Sequence, residues 1–553
     1  MSPVPRPVPT PSALSVRTAR DDVLLVEVPD LDAAVRLHRS LRADPVPGTL
    51  ESVQGARTVL VRFDPVAIHR AALTAALRAR AVTPSASVHE GGVVEVPTVY
   101  DGEDLPDVAR LLGCSVEEVV RRHAAASWTV AFMGFAPGFG YLVGDDPGLA
   151  VPRRESPRTR VPQGSVALAG EYAGVYPREG PGGWQLLGRT EVVLWDLGRE
   201  RPARWAPGDR VRFVAERASV WTSFGSSSFV RQFGLPNEAR TAERSHQGSA
   251  VDVVDAGLQS LVQDLGRAGR TDLGVTPSGA FDPRSLRAAR RAVGDRADAA
   301  VVETLGGLRV RAHGHLVVAV AGAPCDLTVH PADGGAARRP TAARPVALAA
   351  GDELVVGHPS RGLRAYLAVR GGLLAEPVLG SRSTDVLGRL GPAPLAAGDR
   401  IGVGPAPGDA VATTDTGAPD PDLLPAAGEV VHLPVVVGPR DDWFTPAALD
   451  TMLGQAWEVT ARSDRVGLRL AGAPLERTAA ATGRELPSEG CVTGSLQVPP
   501  DGRPVVLGPD HPVTGGYPVV GAVAHTHLWM LGQLPPGAHV RFHRATEQRR
   551  RPG

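Results

Sequence analysis

The sequence predicts a mainly β protein with a small α+β domain at its front and copies of one β-barrel behind it. Three observations carry that prediction. Between residues 15 and 90 strand-like and helix-like runs alternate. From residue 91 onward the apolar runs are short and are interrupted by glycine and proline, of which the whole chain has 64 and 51. A glycine-centred turn feeding a short apolar run also recurs: APGDRVRFV at 206–214 returns as PPGAHVRF at 535–542, with weaker versions AAGDELVV (349–356) and AAGDRIGV (396–403). GSVALAG followed by GVYP (164–177) is echoed by GSLQVPP followed by GGYP (494–518). Repeated hairpin endings of this kind predict two or three copies of a barrel.

The elements follow in order. Residues 1–14 form a proline-rich tail expected to be disordered. In 15–90, DDVLLVEV and RTVLVRFDP read as strands, DLDAAVRLHRSLRA as a helix capped by Asp30, and VAIHRAALTAALRARA as a second helix. A barrel is expected over 91–214, opening with GGVVEVPTVYDG. One helical excursion interrupts it, from Leu105 to about Ala126, broken at Gly113, with a capping box at Ser115 and Glu118. A polar, aperiodic linker covers 215–249. A further barrel is expected over 250–408, where Asp282 caps a helix carrying Pro283 at its first position and Gly294 past its end. A proline-rich link spans 409–428. The last barrel spans 429–546, with a short helix starting at Thr445 and Pro446 and stopped by Gly454, and a basic tail closes the chain at 547–553.

Composition excludes several chemistries. At 553 residues the chain exceeds a single core, and length predicts roughly three to five domains. No apolar run approaches a membrane span and the N-terminus lacks an apolar signal core, so a cytoplasmic protein without membrane contact is expected. The formal charge is zero, from 59 basic and 59 acidic residues, which argues against nucleic acid as a partner. Cys114, Cys325 and Cys491 lie far apart, signalling neither a metal knuckle nor a disulfide framework. There is no lysine; all 59 basic residues are arginine. A P-loop, a lysine Schiff base, a covalent biotin site and a serine–lysine amidase are thereby excluded. Phosphate handling must fall to arginine, backbone N–H groups or carboxylates holding Mg²⁺.

The stretch Phe132–Thr190 is the densest in candidate site residues. Aromatics (Phe132, Phe135, Phe139, Tyr141, Tyr176, Trp184) alternate with Gly and Pro. Arg153, Arg154, Arg158 and Arg160 face one local acid, Glu155. That basic surplus suits an anion, with a solvated rim as the plainer reading. Five clusters stand out further on: Asp264, Arg267 and Arg270; Arg370 with Gly371 and Gly372, then Ser381, Arg382, Ser383 and Asp385; Asp464 and Arg465; Ser488, Glu489 and Gln497; and Asp510, His511, Thr514 and Tyr517. Gly-Ser-Arg-Ser-Thr-Asp is a turn in which N–H groups and hydroxyls converge on an anion, or an ordinary hydroxyl-capped turn. Glu489, Asp510 and His511 are the catalytic candidates. His511 is a proton-transfer group or a turn residue, and Glu489 with Asp510 holds a metal or caps turns, with no spacing diagnostic of a metal. GGWQ (182–185) and GGYP (515–518) are expected at equivalent barrel mouths. They would line one cleft through Trp184 and Tyr517 and gather Gln185, Arg189, Glu489, Asp510 and His511.

Taken together, these motifs resemble a known family. Residues 15–214 look like the B subunit of bacterial ATP-dependent 5-oxoprolinase, through RTVLVRFDP, VYDGEDLPDVARLLG, GFAPGFGYL, PRTRVPQGSVALAG and GVYPREGPGGWQLLGRT. Residues 250–546 look like its C subunit, through GLQSLVQDLGRAG, LGVTPSGAFDP, GSRSTD, DDWF, SEGCVTGSLQVPPDG and TGGYP. The pair is also similar to the carboxyltransferase portion of urea carboxylase, and to a bacterial inhibitor of a sensor histidine kinase with its antagonist. The resemblance implies a small α+β domain, tandem cyclophilin-like β-barrels and ATP-driven opening of 5-oxo-L-proline to L-glutamate, with a separate A subunit of the LamB/YcsF family as partner. In a chain without lysine the phosphoryl transfer would call on arginines and Mg²⁺-bound carboxylates. It transfers no settled catalytic residues. Matched motif positions therefore supply the binding candidates Arg153, Arg158, Arg160, Gln163, Tyr176, Trp184, Gln185 and Arg189 in the first half, alongside the second-half clusters above. A biotin-dependent carboxyltransferase and a kinase regulator are the competing expectations.

Overall fold

The computed structural model describes residues 14–80, 92–154, 156, 158–216, 248–408, 411 and 417–545. The 1–14 tail apart from Leu14, most of the 215–249 linker, part of 409–428, the basic tail and Glu155 lie outside these residues.

The front domain is a four-stranded antiparallel sheet ordered Ser15–Arg20, Val23–Glu27, Thr58–Phe63, Thr49–Gln54. Helices Leu31–Ala43 and Arg70–Ala79 bury Leu37, Leu41, Leu73 and Leu77 against Leu24, Val26, Val59 and Val61 on one face of it. As expected, Asp30 Oδ1 accepts from the N–H of Ala33 at 2.8 Å. The opposite face is buried too, since Val23, Leu25, Val53 and Leu60 pack on Val513 and Val492 from the far end of the chain. Burial on both faces explains why VLLV is a continuous apolar run rather than an alternating one.

Two seven-stranded closed barrels follow, separated by a third unit. In the first, strands Val93–Val99 and Arg210–Glu216 run parallel and close the barrel, and in the second Val430–Val437 and His539–Arg544 do the same. Each barrel carries a helix just before a buried tryptophan, whose indole N–H donates to the carbonyl five residues back: Trp128 to His123 at 3.0 Å and Trp457 to Met452 at 3.1 Å. The helices are capped where the sequence placed the caps, by Ser115 on the N–H of Glu118 and by Thr445 on that of Ala448.

The repeated glycine turn is one local geometry. Gly208 N–H donates to Val130 O while Val130 N–H donates to Asp209 O, and Gly537, Val459 and Ala538 reproduce the pair. Gly351 with Ala312 and Gly398 with Val253 do so again. All four glycines hold φ between +83° and +100°, a region closed to most side chains. The last two, however, lie in a unit that is not a closed barrel. Residues 250–408, expected as a barrel, form two five-stranded sheets packed face to face around Val253, Val302, Leu327 and Leu367. Helix Pro283–Ala292 covers the outer face of the second sheet with Leu286 and Ala289. The sequence repeat marks a turn that feeds a strand, and whether the sheet then closes is decided by pairing far along the chain.

Candidate functional site at the seam between the halves

The aromatics of the 132–190 stretch do not line a barrel mouth. On strand Ser165–Ala169, Val166 and Leu168 point into the barrel while Ala167 and Ala169 point out. The aromatics share the outer face: Phe132 stacks on Tyr141 at 4.4 Å, and Trp184 meets Phe139 and Tyr141 edge-on at 5.3 and 5.5 Å. This wall faces the second half of the chain. A Cβ at Gly134 would overlap the Thr514 hydroxyl, and one at Gly55 would sit 2.6 Å from Ser488 O. Ala56 N–H donates to that same Ser488 carbonyl at 2.8 Å. Burial raises the Tyr141 phenol, and Arg153, Ser488 and Thr514 act against that rise.

The arginine surplus is answered mostly from outside the stretch. Asp104 takes both Arg154 and Arg158, the latter at 2.7 Å, and also accepts from Leu186 N–H. Glu103 adds to Arg158 at 3.1 Å, Arg160 pairs with Glu179 at 2.6 Å, and Arg153 lies 3.6 Å from Glu485 in the second half. Of the remaining first-half candidates, Gln163 is exposed in a turn, Tyr176 and Trp184 are buried in the aromatic wall, Gln185 donates to Pro152 O, and exposed Arg189 pairs with Asp101.

The GSRSTD loop does bind an anion, and that anion is a side chain of the same protein. Asp264 accepts from the hydroxyls of Ser381 and Ser383 and from the N–H of Arg382, each at 2.6 Å. Arg267, buried beside it, donates to the carbonyls of Ser383 and Val378. Arg370 ties down the carbonyls of Val293 and Pro407, and Asp464 closes its own turn on Val466 N–H and Gly467 N–H.

Asp510 and Arg465 form the centre of a second buried network. The Asp510 carboxylate accepts from Arg465 at 2.9 and 3.0 Å, Ser278 Oγ at 2.6 Å and Val386 N–H at 3.0 Å. Arg465 also reaches Glu303 at 2.7 Å, and Glu303 is shared with Arg364 and the Tyr366 hydroxyl. Burial alone would raise Glu303; Arg465 and Arg364 outweigh it and hold the carboxyl below its usual range. Asp385, nearby, is pushed up to about 6 by burial and by the charge of Asp510. Arg178 reaches Asp385's field from the first half, and burial lowers it to about 10. The sequence did not point to Glu303, Arg364, Tyr366 or Arg178. Lone charges inside apolar runs such as AAVVETLGGL were the available signal.

Glu489 belongs to neither of these networks. It pairs with Arg440, which also grips Glu27, and Glu27 in turn takes Arg17 at 2.8 Å. Burial would raise Glu27; Arg440 and Arg17 reverse that and bring it to about 2. These residues border a cavity of about 410 Å³ walled by the front domain and the last barrel.

The composite cleft expected from sequence is therefore not assembled as drawn. Trp184 is buried in the aromatic wall, whereas Tyr517 is half-buried, its carbonyl accepting from Gln497. Gln185 and Arg189 are engaged on their own barrel, and Glu489 and Asp510 sit in separate ion-pair networks. The cause is electrostatic, because a buried carboxylate persists only with its own charged partner. His511 is buried with Nδ1 2.8 Å from Pro512 O, and burial lowers it to about 4, leaving it neutral. What the structure does bring together is a polar seam joining the halves, of which the 410 Å³ cavity is one part.

Residues 14–205 match the family described as carboxyltransferase domain, subdomain C and D, and residues 273–544 match carboxyltransferase domain, subdomain A and B. The chain belongs to this carboxyltransferase-domain family and carries both subdomain pairs. Among relatives, it is 35% identical over 298 residues to the C subunit of 5-oxoprolinase from Escherichia coli (strain K12), covering 52% of this chain and 89% of that protein. It is 45% identical over 134 residues to the B subunit of 5-oxoprolinase from Escherichia coli O157:H7, covering 24% of this chain and 62% of that protein. The crystal structure of TTHA0988 matches over 96% of this chain and 100% of that one, at 34% identity and a TM-score of 0.77. The resemblance stated from the motifs and the mainly β, tandem-barrel fold both stand. No helix among the described residues is long and apolar enough to cross a membrane.

Proposed function

We propose that this chain is the fused B and C subunits of an ATP-dependent 5-oxoprolinase, a hydrolase acting on a cyclic amide C–N bond. With a separate A subunit it converts 5-oxo-L-proline to L-glutamate. One observation carries the proposal. The two stretches resembling separately named subunits meet in a seam built from both, with Gly55 and Gly134 stripped of side chains where Ser488 and Thr514 press against them. A lactam is a poor electrophile, and ATP supplies the phosphoryl group that makes its oxygen a leaving group. This chain's part is to bind and orient the lactam and exclude water, with arginine as its only strong cation. Mg²⁺ finds no cage of three His, Cys, Asp or Glu ligands among the described residues, and Glu27 and Glu489 are already ion-paired. The ion is expected to arrive on nucleotide phosphates instead.

The test mixes the purified chain, an A-subunit protein, ATP and 5-oxo-L-proline, and measures glutamate and ADP. Both products are expected only from the complete mixture. Glutamate from the isolated chain would overturn the division of labour, and none from the complete mixture would overturn the function. The family's own description favours one other reading, carboxyl transfer to an amide. With no lysine here to carry biotin, that reading requires a separate biotinylated carrier, and labelled bicarbonate would expose it.

A further inference from the structure

The 410 Å³ cavity between the front domain and the last barrel is unbalanced in charge. Its three carboxylates are matched: Glu27 by Arg17 and Arg440, Glu489 by Arg440, and Asp442 by Arg17 at 3.1 Å. Two further arginines, Arg57 and Arg484, line the same walls, and among the described residues neither has a carboxylate partner. The Nε of each is buried without an acceptor. Arg484 is held in place, its guanidinium 5.7 Å from the Trp443 ring and its Nη1 donating to Ala480 O at 3.1 Å. On the front-domain wall, Thr58 is only 3% exposed and its hydroxyl has no hydrogen-bond partner among the described residues.

Four guanidiniums against three carboxylates leave the walls one negative charge short, and the orphaned Thr58 hydroxyl adds an unmet hydrogen bond, so the deficit is one anion with hydrogen-bond acceptors. Guanidinium matches a planar carboxylate well. The Glu489 carboxylate has lone pairs beyond the two bonds it accepts from Arg440, so it can take an amide N–H as well. The volume lies at the small-molecule end of ligand pockets, which run from about 300 to 1,000 Å³. Arg484 already covers a face of Trp443, which argues against an adenine stacking there.

We propose that this cavity recognises a small carboxylate-bearing cyclic amide, with Arg57, Arg484 and Thr58 on the carboxylate and Glu489 on the amide N–H. Resting on the 5-oxoprolinase reading, the ligand is 5-oxo-L-proline. Arg57 and Glu27 come from the half that resembles the B subunit, and Arg484 and Glu489 from the half that resembles the C subunit. Neither half has the site alone.

The test is calorimetric titration of the full chain with 5-oxo-L-proline and with its carboxamide, which keeps the ring and loses the charge. The acid is expected to bind and the carboxamide not. Arg57→Gln and Arg484→Gln should each weaken the acid roughly ten- to a hundredfold, the loss of one charge-assisted pair. Their melting temperatures should shift little, since neither side chain holds an ion pair among the described residues and Arg484 gives up only one backbone hydrogen bond and its contact with Trp443. Thr58→Val, close in shape, should weaken binding in the same direction and serves if an arginine variant misfolds. Binding of neither ligand, equal binding of both, or variants that bind as wild type would each overturn the cavity assignment while leaving the proposed activity to its own assay. Selective binding lost in the variants, with no ring opening in the complete mixture, would keep the cavity and overturn the 5-oxoprolinase reading.

Discussion

Asp510→Asn separates a structural carboxylate from a catalytic one. Four donors converge on Asp510: two from Arg465 at 2.9 and 3.0 Å, Ser278 Oγ at 2.6 Å and Val386 N–H at 3.0 Å. Asparagine offers one acceptor oxygen and, in either orientation, turns its NH₂ toward the Arg465 guanidinium, together with Ser278 Oγ in one and Val386 N–H in the other. Arg465, 1% exposed, then keeps only Glu303 as a counter-charge, and Glu303 is already shared with Arg364. Breaking one side of such a buried pair costs about 3–5 kcal/mol. At roughly 2–4 °C per kcal/mol for a unit of 150–250 residues, the transition that includes the last barrel should fall on the order of 10 °C. Scanning calorimetry reads the shift, and hydrogen exchange at Val386 should speed up in parallel. Turnover with the A subunit, measured well below the new melting point, should persist. A melting temperature within about 2 °C of wild type together with collapsed turnover would refute the argument and return Asp510 to the chemistry.

Two further predictions concern the seam. Burial, then the charge of Asp510, raise Asp385 from 3.8 to about 6. A carboxyl that holds its proton more tightly when folded makes stability fall as pH rises from about 4 to about 6, by at most roughly 3 kcal/mol, and then level off. Asp385→Asn should flatten that segment of the melting-temperature profile and melt above wild type at pH 7; an unchanged profile would show that Asp385 titrates normally. Gly134→Ala should lower the melting temperature through overlap with Thr514, and adding Thr514→Ala should recover most of the loss, a coupling of about 1 kcal/mol or more in a double-mutant cycle. Strict additivity of the two substitutions would mean that the halves do not press together there.

What was legible in the sequence was whatever local chemistry dictates. Caps at Asp30, Ser115, Asp282 and Thr445 fell where oxygen-bearing side chains precede apolar runs, because orphan N–H groups must be satisfied within a few residues. The glycine turn was legible for the same reason, while its extrapolation to a third closed barrel was not, since closure depends on pairing over long separations. The site was legible only in part. Asp264 and the GSRSTD loop were both singled out, yet nothing local shows that they bind each other across more than a hundred residues. The arginines after Val151 looked unanswered because Asp104, Glu103 and Glu485, which take Arg153, Arg154 and Arg158, lie outside the window, and Glu179, which takes Arg160, lies nineteen residues on. Arg57, Arg440 and Arg484 sit in unremarkable contexts, and only the fold sets all three against one cavity, with Arg440 between two acids.

The front sheet, buried on both faces, bears on why one gene product would replace two. Severed from the second half, its outer face would present Val23, Leu25, Val53 and Leu60 to water, a sticky surface suited to wrong partners as well as the right one. A covalent tether changes the arithmetic of that encounter. The two surfaces meet at an effective concentration in the millimolar range whatever the abundance of the protein, so the seam need not be tight enough to survive dilution. Selection on such a chain is then freed from holding the halves together and can act on the polar residues that the seam encloses.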